Sequence, residues 1–351
     1  SMLPYLLSWG VFASAGLGAA RRIAGSTLLA LGLFLTLLIG LREQVGGDWV
    51  SYLPYLERSI GLPFAEIFQS NEPGYELLNW IGANWGGGIY LVNTVCGLIF
   101  SIGLLQFCRA QPRPWLALTM AFPYLVTVVA MGYSRQGVAI GLEMIALLAL
   151  QRDRLLQYLA LIALAATFHR TALVLLLLPA ATLSPNLRFG QLIRLALLAG
   201  ASYGLYTAVI APDIDYYLQG YIEAEYQSQG ALIRVALCLL PALLFLFNRR
   251  RFQLQPDTQR IWSLLSLLAV VSAIGLFTVA SSTAVDRLAL YLIPLQLFVG
   301  SRLPDTRLWG ISPEAWKQLL VLLSFAVLIV WLVFAGHSSA WLPYRNLLLP
   351  F

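Results

Sequence analysis

Twelve apolar stretches, at residues 2–20, 23–41, 89–108, 115–133, 135–150, 155–168, 171–183, 191–210, 231–247, 261–280, 286–301 and 315–335, divide this chain almost end to end. In hydrocarbon each backbone N–H and C=O must find its partner within the protein, so stretches of this length and polarity predict helices. With 59% apolar and 11% charged residues and a mean hydropathy of +0.77, the class left is an all-α, polytopic membrane protein. The expected organisation is a single transmembrane domain over residues 1–351 with about twelve spans. Two longer loops, residues 43–88 and 211–230, would carry short amphipathic helices. The first stretch has neither a charged leading region nor a cleavage signal, so it reads as a retained helix.

Arginine sets the topology. Fifteen of the 22 basic residues (Arg21, Arg22, Arg109, Arg113, Arg152, Arg154, Arg188, Arg194, Arg249, Arg250, Arg251, Arg260, Arg302, Arg307 and Lys317) fall on alternate turns. Positive charge accumulates on the cytoplasmic side, which puts both long loops outside. The net charge of +6 comes almost wholly from these short turns, and nucleic acid is not an expected partner. This parity requires two short helices over residues 155–183. One helix of 29 residues would be about 43 Å long, too long for a hydrocarbon core of about 30 Å. The expected break is Phe168-His169-Arg170, lining a cavity below the outer surface.

Seven basic residues violate the trend: Arg42, Arg58, Arg135, Arg170, Arg234, Arg287 and Arg345. Each lies at or near a helix end on the outer side, and guanidinium groups that stay charged suit an anion. Arg42 opens the first loop in GLREQVGGD (residues 40–48), where it either binds a ligand or pairs with Asp48 at the surface. The same side collects acids and rings: Trp49, Tyr52, Tyr55, Tyr75 and Trp80 in the first loop, and Tyr216, Tyr217 and Tyr221 in the second. Rings beside carboxylates suit a sugar chain, and an interfacial aromatic belt is the plainer alternative. Cys96, Cys108 and Cys238 lie in apolar stretches without metal-ligand spacing. Asp213-Ile-Asp215 is a D-x-D, a pattern that can hold a divalent metal and that also suits a capped turn.

Five pieces taken in order carry a resemblance: GLREQVGGDWVSY (40–52), EPGYELLNWI (72–81), SRQGVAIGL (134–142), FHRTAL (168–173) and DRLALYLIPL (286–295). Together they resemble the EpsG family of Wzy-like polymerases of bacterial exopolysaccharides and O-antigens, with a weaker PYR near Tyr344. The resemblance implies a GT-C-type glycosyltransferase in the bacterial cytoplasmic (inner) membrane, its active site facing the periplasm or exterior. Its donor and acceptor would be polyprenyl-diphosphate-linked oligosaccharides. A chain-length regulator and a flippase of the same pathway are the protein partners that this implies.

The residues suit that chemistry. Cations aimed at a departing diphosphate stabilise it without proton transfer. Arg135 and Arg287, with Tyr291 one turn on, lead that set, followed by Arg42 and Arg170. Arg287 could instead pair with Asp286 or Glu143, and Glu143 reads as the partner of Arg135 or as a support behind it. The attacking sugar hydroxyl needs a base, for which His169 is the first candidate and Asp48 and Glu72 are rivals. A histidine flanked by apolar residues also serves often as a structural donor. Tyr52, Tyr75, Gln136, Tyr216, Tyr217 and Tyr221 are the expected sugar ligands. Neither metal nor cofactor is expected, since the arginines supply the charge a metal would. A flippase or transporter of the same lipids, or a ligase or acyltransferase, are the competing classes. No matching halves are visible to favour transport.

Overall fold

The computed structural model describes residues 1–183, 189–207, 211, 230–278 and 282–348, and each of the twelve apolar stretches falls on a helix there. Among the described residues there is no strand. Four helices are long and apolar enough to cross a membrane, at Gly88–Arg109, Ala231–Phe252, Pro256–Thr278 and Pro313–Phe334. The second loop, with Asp213, Asp215, Tyr216, Tyr217 and Tyr221, lies outside the described residues. By its contacts the chain divides into two compact units, Ser1–Ile145 with Thr167–His169 and Gly300–Phe351, and Ala146–Ala166 with Arg170–Val299.

In the first unit, α1 (Leu3–Leu17) packs on α6 (Pro114–Ala121) and on the helix Pro313–Ile329, while α2 (Gly25–Gly40) packs on α5 (Gly88–Arg109). Lipid supplies no hydrophobic drive between helices, so close backbone approach through small residues matters. A Cβ on Gly103 of α5 would lie 2.1 Å from the carbonyl oxygen of Gly141 in α7 (Ser134–Gln151). Beyond α6 the winding loosens to a π-helix over Phe122–Ala130. Pro123 has no N–H to give to a tighter ladder there.

The turns of this unit gather at two ends. At one, Asp305 accepts from both Arg21 and Arg113 at 2.9 Å, Arg302 donates to Gln111 at 2.5 Å, and Lys317 Nζ reaches the carbonyl of Leu17 at 3.1 Å, closing the end of α1. Burial alone would raise the Asp305 carboxyl, but its hydrogen bonds from Arg21 and Arg113 hold it below the ordinary value. Arg302 is pulled down to about 9 by burial. At the other end, residues 41–48, 132–135 and 340–347 come together. Leu347 N donates to Leu41 O at 2.9 Å, Glu43 N to Arg345 O at 3.0 Å and Gly46 N to Ala340 O at 2.8 Å.

The second unit holds the two short helices on either side of the break expected at Phe168-His169-Arg170. Helix α8 (Leu155–Ala166) ends there, and a 3-10 helix runs over Arg170–Thr182. The Tyr158 hydroxyl donates to Leu175 O. A continuous helix would hold residues 17 apart about 25 Å from each other, so the chain reverses. Arg194, near the start of α9 (Phe189–Leu205), bonds Asp153 just before α8, which closes the hairpin at its base. The 3-10 winding rises about 2.0 Å per residue, so these 13 residues cover about 26 Å, more than their number suggests.

Two outcomes follow. Cysteines placed singly at Gly190 and at Asp153 should label from one side of the membrane, and one at Gly230 from the other. The three native thiols are buried and give little background. Gly190 labelling from the side opposite Asp153 would mean the chain does not reverse. Asp305, whose folded value is depressed, contributes stability above its unfolded value of about 3.8. That contribution is lost as pH falls through the lower folded value. In thermal melts the Asp305→Asn variant should therefore lie below the wild type at pH 6 and converge with it near pH 2.

Candidate active site

Arg42 does not pair with Asp48 in the structure. It is fully buried, 0% exposed, and its guanidinium donates to Val45 O and Ser134 Oγ, both at 2.9 Å, and to Ile39 O. The last carbonyls of a helix have no partner within it. Here Ile39 O of α2 is taken by Arg42 and Leu38 O by Tyr344 Oη at 2.8 Å, while Leu37 O, which accepts the capping Leu41 N at 3.1 Å, takes Asn346 Nδ2 at 3.1 Å as well. Burial pulls the Arg42 guanidinium below its ordinary value, against nearby Tyr52.

The first loop after this knot is a folded substructure. A short 3-10 turn, Val50–Tyr52, leads into α3 (Leu53–Ser59), which packs on α4 (Pro73–Asn84). Ser59 Oγ donates to Glu76 Oε1 at 2.9 Å, Asn84 Nδ2 to Ser59 O at 2.8 Å and Trp80 Nε1 to Leu62 O at 2.7 Å. The first N–H groups of α4 are met by the break before the 3-10 helix: Gly74 N donates to Thr167 O at 3.0 Å. A Cβ at Gly74 would fall 2.3 Å from Thr167 Oγ1. Thr167 and half-buried His169 thus belong to the same packed region as Glu72 and Tyr75.

Arg135 completes the centre. It sits in the first turn of α7 and forms an ion pair with Glu72. Its guanidinium carbon lies 5.9, 5.4 and 5.8 Å from the ring centroids of Tyr52, Tyr55 and Tyr75. The three rings also pack on one another at 5.5–6.3 Å, tilted or edge-on. Cation–π contact adds to the ion pair in holding the guanidinium. Tyr52 lies 3.4 Å from Asp48 Oδ2 through its hydroxyl. Burial and the Asp48 charge push that hydroxyl well up, so it remains protonated.

The expected partnership of Arg135 with Glu143 is corrected by this geometry. Glu143 is completely buried in α7, and neither of its oxygens has a hydrogen-bond partner among the described residues. Arg135, Glu72, Asp48, Tyr52 and Tyr75 do come together. Tyr55, absent from the expected set, is the third wall, and its place three residues after Tyr52 is the signal that could have found it. Gln136 is buried beside Arg135 in sequence.

Arg170, Arg287 and Tyr291 belong to the second unit. Thr171 Oγ1 lies 3.0 Å from the Tyr291 hydroxyl, which brings buried Arg170 towards the 286–291 segment. Asp286 binds Arg234 through two bonds, one of 2.7 Å from Nε, and its neighbour Arg287 is exposed. No cluster of three or more metal-ligating side chains forms among the described residues.

A wedge holds the two turns that carry Asp48 and Arg135. The Trp341 indole donates to Thr127 O at 2.7 Å, in the π-helix, and its ring lies against Gly132 and Gly47. Gly46, at φ 107°, would place a Cβ 2.1 Å from Met131 O. Gly46→Ala should cost about 2–5 kcal/mol, strain and overpacking together. Gly61→Ala, at φ 71° with open space, should cost about 1–2 kcal/mol from strain alone. Denaturation of the two variants side by side checks the difference, and equal losses would remove the close-contact argument.

The model of the EpsG family matches residues 27–346. No curated protein and no solved structure matches the chain.

Proposed function

The chain belongs to the EpsG family, and from that premise we propose that it polymerises polyprenyl-diphosphate-linked oligosaccharide units at the outer face of a bacterial cytoplasmic membrane. The observation that carries this reading is the Arg135–Glu72 pair enclosed by Tyr52, Tyr55 and Tyr75, with Asp48 beside it. The twelve helical stretches would cross the membrane with the first loop outside, in keeping with the arginine bias. This helical membrane frame is consistent with a GT-C-type enzyme, and the lipid tails would lie against the exposed apolar helix faces.

In the reaction, a hydroxyl of the incoming unit attacks the anomeric carbon of the growing chain. The bond from that carbon to the diphosphate oxygen breaks, and polyprenyl diphosphate leaves with the electron pair. Arg170 and Arg287 would hold the charge developing on the leaving group, with Thr171 and Tyr291 fixing the local backbone. Arg42 is left out of this set, because its donors are spent on Ile39, Val45 and Ser134. A carboxylate or imidazole takes the proton from the attacking hydroxyl, and Glu72, Asp48 and His169 are the groups we assign to that role. Glu72 is held by Arg135, which keeps one carboxylate oxygen in a fixed place.

Purified protein given a lipid-linked repeat unit should yield a ladder of longer chains, and should still do so with chelator present. His169→Ala should bind the lipid-linked sugar almost as well while extension falls about 10²–10⁴-fold, the usual worth of a positioned base. Arg287→Ala should weaken both. A protein that moves the lipid across vesicles and makes no ladder would be a transporter. Full extension by His169→Ala would leave Glu72 or Asp48 as the base.

A further inference from the structure

A polymerase of lipid-linked sugars must hold two unlike things, a hydroxyl-rich glycan and a diphosphate. We infer that the Arg135–Glu72 centre binds glycan hydroxyls alone and is not a diphosphate site. The inference rests on the reading just proposed and reassigns Arg135 within it.

Charge is the first ground. The Arg135 cation is already offset by Glu72, and the Asp48 carboxylate stands next to Tyr52 in the same wall. A diphosphate entering here would meet the Glu72 and Asp48 carboxylates beside the committed Arg135 guanidinium, and like charges in a partly buried site repel strongly. Among the described residues the one further cation at this wall, Arg58, is exposed, lies 4.7 Å from the Tyr55 ring centroid and gives its Nε to Pro54 O. Arg42 offers no relief, since its donors face backbone carbonyls and Ser134.

Unmet hydrogen-bonding capacity is the second ground. Tyr75 is 1% exposed and its hydroxyl has no partner among the described residues; nor does the buried Nε of Arg135. Buried polar groups without partners are costly, and a ligand that satisfies them gains what the empty site lacks. A carboxylate that accepts, a guanidinium that donates and phenols that do both match neighbouring sugar hydroxyls, each of which donates and accepts. A phosphate only accepts, and would leave Glu72 facing it unpaired.

Access fits the same ligand. The side chains of Arg135 and Glu72 are 26% and 16% exposed and Tyr55 is half-buried, whereas Tyr52 and Tyr75 close the base. The centre is open at the carboxylate–guanidinium rim and sealed by rings beneath. In the second unit, among the described residues, Arg170 and Arg287 lie along residues 170–171 and 286–291 with the Arg234–Asp286 pair. That richer supply of cations suits the diphosphate.

The test uses the full chain in nanodiscs and two probes. One is the repeat-unit oligosaccharide freed of lipid and phosphate by mild acid; the other is farnesyl diphosphate, which carries no sugar. Arg135→Lys and Glu72→Gln should each weaken the oligosaccharide tenfold or more and leave farnesyl diphosphate within twofold. Tyr75→Phe keeps the ring and should weaken the oligosaccharide about 3–10-fold, the worth of one hydrogen bond. Arg287→Ala should do the reverse of Arg135→Lys. Loss of farnesyl diphosphate in Arg135→Lys would overturn the inference, as would a wild type that binds no oligosaccharide, or Glu72→Gln and Tyr75→Phe both binding it normally. The ladder assay reads the underlying function separately. A protein that binds oligosaccharide through Arg135 and makes no ladder keeps the glycan site and loses the polymerase.

Discussion

A single buried guanidinium holds the outer end of the first unit together. Arg42 meets Ile39 at the end of α2, Val45 in the loop and Ser134 at the start of α7. Hydrogen bonds to a charged group are worth about 1.5–3 kcal/mol each, and a cation stripped of water has no weaker option. Ser134 precedes Arg135, and Val45 precedes the turn that carries Asp48. The catalytic geometry proposed here is thus downstream of a residue that touches no substrate.

Hydropathy made most of the helices legible. The bounds of α1, α2, α5 and α7 lie within a few residues of the apolar stretches, because a membrane helix is one contiguous run of sequence. The reversal at residues 168–170 was also legible, since arginine parity and the thickness of the hydrocarbon favoured two short helices over one long one. The 3-10 and π windings were not legible, because they depend on which carbonyls neighbouring side chains claim, and hydropathy carries no trace of that.

The site was legible by residue type and less so by partnership. Arg135, Glu72, Asp48, Tyr52 and Tyr75 share one centre, but Glu143 on the same helix as Arg135 was the natural guess for its partner. Spacing along a helix ranks neighbours eight residues apart, whereas the true partner lies 63 residues away and arrives through the fold of the loop. Arg42 was misread for a related reason. A charge at a helix end reads as exposed until the segment that covers it is known, and that segment comes some 300 residues later. Trp341, Tyr344 and Asn346 carried a signal in hindsight: rings and an amide following the last span, with helix-end carbonyls as their targets.

That separation sets an order in time. The carbonyl of Leu38 waits for Tyr344, that of Leu37 takes Leu41 N at once and waits for Asn346 only as a second donor, Gly46 N–H waits for Ala340 O, and Tyr5 Oη waits for the carbonyl of Trp341. At about 5–20 residues per second of synthesis, roughly 15–60 s pass between the emergence of Arg42 and that of its cover. Through this interval Arg42 keeps its bonds to Ile39 and Val45 but lacks its cover, and the Leu38 carbonyl meets only water and lipid headgroups at the membrane surface. Completion of the outer end is therefore a late event of biogenesis. A ribosome that stalls or stops a dozen residues short would release a chain with nearly all its helices inserted and its first loop unlocked.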